Sequence, residues 1–407
     1  MPHVVAGLVT GSSIVVPDKM LAGAGVAVVR DEVSSVDRAE RMVTTVSGAT
    51  FSYDKLYLAT GASPFVPPIE GHDLHGVVTL RGLPDAEKIR ELIGTATPKR
   101  IVCIGAGFIS MEVASLLVAL HGSRCDVTVV ELLDRPLPLM LDGDMAAEVR
   151  DYLEEKGIRL LTGEKVARLV GRDGRVGGAA LASGTVLDAD IVFMNVGVRP
   201  NTALAESIGL EMGRFGIKVN GYQETSDPDI LAGGDCVEKI NVITGKPTPG
   251  QLRGPAVVQG RLAAKRLAGY DIAFPGVVDA GGCKMFDMTI AATGLTEERA
   301  VQEGIATVSG VVESRSKHAM IPGVRPWKIK LVFNRENQRL IGGQIVAYDV
   351  APAREIDAVS AFILGGKTIR DLTTFTSACN PDISSEPSAE PITIAAEQAL
   401  QKVGKTH

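Results

Sequence analysis

At 407 residues the chain is long enough for two or three domains, and its 45% hydrophobic and 22% charged residues are an ordinary globular balance. A net charge of -6 gives no electrostatic basis for nucleic acid, and no stretch has the apolar length of a membrane span, so neither is an expected partner. The five cysteines (Cys103, Cys125, Cys236, Cys283, Cys379) are odd in number and far apart, which argues against a disulfide framework and offers no metal-ligand spacing. Met1-Pro2-His3 lacks the basic-then-apolar pattern of a secretion signal, so a reducing cytoplasm is the expected location.

Val26–Val29, Arg41–Val46, Ala49–Tyr53 and Leu56–Ala59 read as short strands, the last running into the tight Thr60-Gly61-Ala62-Ser63-Pro64 loop. Pro67-Pro68 and Gly71 read as a linker. Pro84-Asp85 opens a helix stopped by Gly94. Arg100–Ile104 is a buried strand, and the helix after it carries Val113, Leu116, Leu117 and Leu120 on one face. Asp126–Val130 is a strand, and Met145–Lys156 a helix ended by Gly157. Strands follow at Arg159–Leu161, Val166–Val170, Ala179–Ala182 and Ile191–Asn195, then a helix at Pro255–Leu267. After Pro275 the texture changes. Lys328–Phe333 and Leu340–Val346 read as long strands and Glu355–Leu364 as a helix of a separate α+β domain.

The strongest chemical signal is the order strand, glycine loop, helix, strand, acid. Gly105-Ala106-Gly107-Phe108-Ile109-Ser110 follows the strand Arg100–Ile104, and Glu131 closes the next strand. Gly105 permits the sharp turn, and Gly107 lets the backbone approach a pyrophosphate seated on the helix N-terminus. The third position takes Ser110 in place of glycine. A carboxylate at Glu131 accepts from ribose hydroxyls and repels a 2′-phosphate, which favours NADH over NADPH; the nearby Arg135 works against that preference. The alternative is a glycine-rich turn that binds nothing.

Further stretches occur in a fixed order: Tyr53–Pro64, the loop Gly105–Glu112, Gly197-Val198-Arg199-Pro200-Asn201, Leu231-Ala232-Gly233-Gly234-Asp235 and Thr293-Gly294-Leu295-Thr296-Glu297. Together they resemble the FAD-dependent pyridine-nucleotide–disulfide oxidoreductases, in the branch of coenzyme A-disulfide reductase, NADH oxidase, NADH peroxidase and persulfide reductases. The resemblance implies an α/β fold with a Rossmann-type NAD-binding domain (78–200) inserted in a partial FAD-binding domain (1–77 and 201–275), then a C-terminal α+β dimerisation domain (276–407). It implies that Ala59, Thr60 and Gly61 lie against FAD, and that Gly234 and Asp235 bond its ribityl and phosphate region. Leu252, Arg253 and Gly254 would start a helix aimed at the isoalloxazine. Glu112 matches the acid after the NAD loop, Phe108 an aromatic that gates the nicotinamide pocket, and Gly197 the turn of the Gly-x-Arg-Pro stretch.

The chain departs from the family at its start. The glycine loop expected first, for FAD, is absent, and Met1–Val5 resembles the stretch just after the flavin-side cysteine, with Pro2 as the proline of that motif. The expectation is either a truncated or mis-started enzyme, or a fragment keeping NAD binding and dimerisation. Of the cysteines, Cys103 reads as core packing, Cys125 and Cys283 as structural, and Cys236 as a neighbour of the FAD ribityl. Cys379 lies in a polar loop where relatives commonly present a tyrosine; it is the candidate catalytic thiol, the alternative being a loop cysteine of no catalytic role. His318 with Arg315, Lys317, Arg325 and Lys328 forms a basic cluster, read as a solvated face or a site for an anionic substrate; Met320 stands where relatives often carry tyrosine. The implied activity is a homodimeric NADH- and FAD-dependent oxidoreductase reducing a disulfide, persulfide or polysulfide. The alternatives are an NADH oxidase or peroxidase and a non-catalytic NAD-binding subunit.

Overall fold

The computed structural model describes residues 1–94 and 99–404. The chain divides into two compact units: Met1–Val9, Pro64–Gly197 and the chain from Val278 onward form one, and Thr10–Ser63 with Val198–Val277 the other.

The first unit holds two sheets that matter for function. One is parallel and five-stranded, in the order Val77–Val78, Ile191–Met194, Lys99–Ile104, Cys125–Glu131, Arg159–Thr162. Its central strands read as continuous apolar runs because both faces are covered, and Ile101, Val102, Cys103, Val127 and Val129 are buried. Helices Leu83–Ile93, Phe108–His121 and Gly143–Glu155 supply Ile89, Met111, Val113, Leu117, Met145 and Val149 to its core. The buried stripe of Phe108–His121 is Met111, Val113, Ala114 and Leu117, whereas Leu120 is exposed. The expected face was therefore displaced toward the N-terminal turns, where the helix meets the sheet. A three-stranded antiparallel sheet, Val166–Arg172, Arg175–Leu181 and Val186–Asp188, packs Leu169, Ala179 and Leu187 into one core with Val102, Val130 and Val192 of the parallel sheet.

The second sheet of this unit is antiparallel, ordered Gly281–Met285, Met288–Gly294, Leu340–Ala347, Pro326–Asn334, Thr307–Arg315. Alternation along Pro326–Asn334 sends Trp327, Ile329, Leu331 and Phe333 to one side and Lys328, Lys330 and Val332 to the other. Helix Pro391–Val403, which has no counterpart among the expected elements, lies so close to Thr307–Arg315 that a Cβ on Gly310 would meet the Ala395 carbonyl oxygen at 1.9 Å.

The other unit carries a three-stranded meander, Val33–Asp37, Met42–Thr45 and Thr50–Ser52, and a two-stranded parallel pair, Leu56–Leu58 with Ile230–Ala232. Its core gathers Leu58, Ala205, Ile217, Ile230 and Val237. Val26–Val29 is not a strand. It pairs with no neighbour, and Val26, Val28 and Val29 are exposed; β-branched residues make a strand only where an edge accepts them.

Candidate functional site

The glycine loop sits at the carboxyl edge of the parallel sheet, between its two central strands. Gly105 has φ +91°, and a Cβ there would meet the Asn195 carbonyl oxygen at 2.8 Å, so both conformation and space demand glycine. Its N–H donates to the Val130 carbonyl at 2.8 Å, which ties the turn to the adjoining strand. Gly107 is the residue before the helix Phe108–His121, with open space where a side chain would stand and no side chain capping the helix. The first-turn amides of Phe108, Ile109 and Ser110 thus face an uncovered approach, the geometry that receives a diphosphate. Ser110 is 1% exposed and accepts from Asn195 Nδ2 at 3.5 Å, which accounts for a small residue at the third position.

Glu131 is 8% exposed and lies beside this loop. Its Oε2 accepts from the Ala106 N–H at 2.6 Å and its Oε1 from the Leu133 N–H at 2.9 Å. The carboxylate is therefore held in place before any ligand arrives, and each oxygen keeps a second lone pair for a ribose hydroxyl. Arg135 is placed differently from the sequence expectation. Its Nε donates to the Leu141 carbonyl at 3.0 Å, one terminal nitrogen binds Asp134 at 2.8 Å and the other binds Glu298. A guanidinium so engaged, with its side chain 12% exposed, is withdrawn from a 2′-phosphate.

Phe108 is partly exposed at the helix start. Glu112 is half-buried one turn further on; burial pushes its carboxyl above the usual range, opposed by a hydrogen bond from the Lys284 backbone. Gly197 has φ +114° with open space beside it.

The remaining expected residues lie in the other unit. Thr60 Oγ1 donates to the Asn201 carbonyl at 2.6 Å, Asn201 Nδ2 donates to the Thr60 carbonyl at 2.9 Å, and Asn201 N–H donates to the Gly61 carbonyl at 2.9 Å. Asn201 thus braces the Ala59-Thr60-Gly61 loop. The Gly233-Gly234-Asp235 turn follows the strand Ile230–Ala232, and a Cβ on Gly233 would fall 1.9 Å from the Tyr57 hydroxyl. That hydroxyl is pushed up to about 12 by burial and the nearby Cys236. Gly234 N–H donates to Gln259 Oε1 at 2.9 Å. Leu252 precedes the 15-residue helix Arg253–Leu267, again without a side-chain cap, and Arg253 and Gly254 are exposed at its start. A half-exposed carboxylate and an uncapped helix N-terminus suit the ribityl and isoalloxazine half of FAD. A glycine loop for the other half is not among the described residues of this unit.

The cysteines separate by environment. Cys103 and Cys283 are buried and their thiols are pushed up to about 12, both chiefly by burial. Burial likewise raises Cys125, and Cys236 donates to the Gly233 carbonyl at 3.2 Å from a buried position. Cys379 is exposed on a loop of the first unit and is not brought together with the glycine loop's residues by any hydrogen bond. In the basic cluster, His318 N–H donates to the Pro381 carbonyl at 3.1 Å and Met320 is 79% exposed.

Two buried cations were not anticipated. Lys330 Nζ contacts Asp142 at 3.1 Å, Asp144 at 2.9 Å and Glu297 at 2.7 Å. Burial works against its charge, but the bonds to Glu297 and Asp144 and the charge of Asp142 outweigh it and hold the ammonium above the usual range. Lys239 is the other, 3% exposed and bonded to carbonyls. In the sequence Lys330 shares its side of the strand with Lys328, so the alternation gives no sign of its burial.

A parallel sheet with a glycine loop opening at a helix N-terminus and an acid fixed beside that loop is the architecture of a dinucleotide-binding domain. The chain belongs to the pyridine nucleotide-disulphide oxidoreductase family, whose profile matches residues 14–259, with the family's dimerisation domain matching 281–390. An NADH oxidase of Methanocaldococcus jannaschii is 38% identical over 86% of this chain and 77% of its own. An NAD(P)H coenzyme A polysulfide/persulfide reductase of Pyrococcus horikoshii is 33% identical over 91% of this chain and 83% of its own. The structure of an NAD-dependent persulfide reductase from A. fulgidus superposes with a TM-score of 0.92 at 34% identity, covering 98% of this chain and 75% of that one. The chain is thus an NAD(P)H-dependent flavoprotein oxidoreductase, with NAD(H) and FAD as the cofactors of its class.

Proposed function

We propose that the chain uses NADH in preference to NADPH and, as a homodimer built through its dimerisation domain, reduces a persulfide or polysulfide of a small thiol. The observation that carries the coenzyme choice is the Glu131 carboxylate, fixed by the Ala106 and Leu133 amides while Arg135 is tied to Asp134, Leu141 and Glu298. Gly105 and Gly107 open the loop, and the Phe108, Ile109 and Ser110 amides hold the diphosphate. Glu112 lies one turn further along the same helix. Bound flavin supplies two-electron redox chemistry between nicotinamide and sulfur. Ala59, Thr60, Gly61, Gly234, Asp235, Leu252, Arg253 and Gly254 hold it.

In the overall reaction NADH gives a hydride and solvent a proton, the S–S bond of the persulfide R–S–SH breaks, and NAD+, the thiol R–SH and hydrogen sulfide result. The sulfur acceptor is supported by the names of the Pyrococcus and A. fulgidus relatives. Oxygen is the second reading, favoured by the Methanocaldococcus relative's name. Cys379, exposed where the other four cysteines are buried, is the thiol we assign to contact with the sulfur substrate.

The test is anaerobic NADH consumption by FAD-loaded protein given glutathione persulfide, with sulfide measured in parallel. Equal amounts of NADH lost and sulfide released support the proposal. Consumption that requires oxygen assigns the chain to the oxidases, and no consumption with either acceptor removes the reading. Full sulfide release by Cys379→Ser would remove that residue from it.

A further inference from the structure

We infer that Lys239 is a positioning residue for the flavin side of the reaction, fixing Asp235 and the start of the helix Arg253–Leu267 with one buried ammonium. This deepens the proposed function and rests on it. Lys239 is 3% exposed, a rare state for a lysine. Its Nζ donates to the Gly234 carbonyl at 2.7 Å, the Val237 carbonyl at 3.3 Å and the Pro249 carbonyl at 3.3 Å. These three carbonyls give the ammonium acceptors in a place nearly closed to water.

Those acceptors belong to the two pieces of chain that address the flavin. Gly234 immediately precedes Asp235. The peptide unit around Gly234 is held from both sides, since its N–H donates to Gln259 Oε1, itself 1% exposed, while its carbonyl accepts from Lys239. Asp235 therefore leaves a turn with little freedom to rotate. Pro249 leads through Gly250 and Gln251 to Leu252, so the same ammonium also sets where the helix begins. Gly250 makes room for the lysine stem: it has φ +49°, and a Cβ there would meet Lys239 Cδ at 2.8 Å and Val277 Cγ2 at 3.1 Å. The backbone of Lys239 stands in the short ladder of Lys239–Ile240 with Pro247–Thr248, which joins the two pieces.

The charge has a second consequence. A buried cation beside the turn that carries Asp235 favours added negative charge nearby, because little water screens it. It thereby biases a flavin held at this turn toward its reduced form. A neutral side chain of similar length removes that bias, and a hydrogen-bonding neutral one restores the geometry without it.

The experiment compares wild type, Lys239→Met and Lys239→Gln. It measures FAD affinity by flavin fluorescence, flavin midpoint potential by dye equilibration, and NADH affinity by calorimetry on flavin-free protein. Lys239→Met is expected to weaken FAD binding about tenfold, the size of a lost charge-assisted hydrogen bond. It should also lower the midpoint potential and leave NADH affinity unchanged. Lys239→Gln is expected to recover part of the FAD affinity while the potential stays low. Unchanged affinity and potential in either folded variant overturn the inference. Should Lys239→Met fail to fold, Lys239→Gln alone decides through the potential, and Gln259→Leu, which releases the other side of Gly234, checks the geometry by weakened FAD binding. Wild type that binds no flavin would sink the functional proposal and this inference together, whereas wild type that binds flavin beside unaffected variants sinks only this one.

Discussion

Glu131 does two jobs at once. It organises the glycine loop through Ala106 and, in the proposed function, also offers its remaining lone pairs to a sugar, so a change there touches both the loop and the proposed ligand. Glu131→Gln is expected to raise the NADH dissociation constant about tenfold and to narrow the gap to NADPH, measured by calorimetry with both coenzymes. Glu355 offers a pH test remote from the loop. Burial raises its carboxyl above the ordinary range, and it in turn helps raise Glu390, whose shift comes first from burial. A carboxyl raised by folding gives stability that is complete below its unfolded value and fades as pH climbs through the raised one. Glu355→Gln should therefore lift the melting temperature at about pH 8 and have little effect near about pH 4. A larger gain on the acid side would contradict the assignment. The positions proposed for NAD binding stand out in the sequence because each has a fixed place relative to a strand or a turn. The state of Arg135 does not, since its partner Glu298 is brought to it by packing between elements distant in sequence.

Elements with strong periodicity or clear stops were readable, as for Leu83–Ile93 with Pro84 at its start and Gly94 at its end. Those missed had weak local signals. Thr307–Arg315 is interrupted by Gly310, whose lack of a side chain is explained by the helix lying against it. The opposite error, a strand at Val26–Val29, came from β-branched composition without a partner edge. The element-scale prediction concerns Lys330, which draws Asp142 and Asp144 at the start of Gly143–Glu155 toward the antiparallel sheet and the Glu297 turn. Asp142 also accepts from Gln344 Nε2 at 2.6 Å, so it stays buried when the lysine is removed. Lys330→Met leaves that carboxylate uncompensated and is expected to cost about 3–5 kcal/mol of stability. Urea denaturation with unchanged slope would report it; a midpoint equal to wild type would show the cluster to be dispensable.

For the molecule as a whole, the ordered motifs made the class readable, because they are spaced by complete elements of a single topology. The grouping of the glycine-loop sheet and the antiparallel sheet in one compact unit was not readable, since it depends on contacts such as Lys330 with Asp142. Within that unit the glycine loop, Glu131 and the occupied Arg135 are what the proposed preference for NADH rests on. The direct measurement is calorimetric titration of the purified protein with NADH and, separately, NADPH. The account predicts saturable heat with NADH and at least tenfold weaker binding of NADPH, about 1.4 kcal/mol apart. No heat with NADH, or equal affinity for the two, would contradict it.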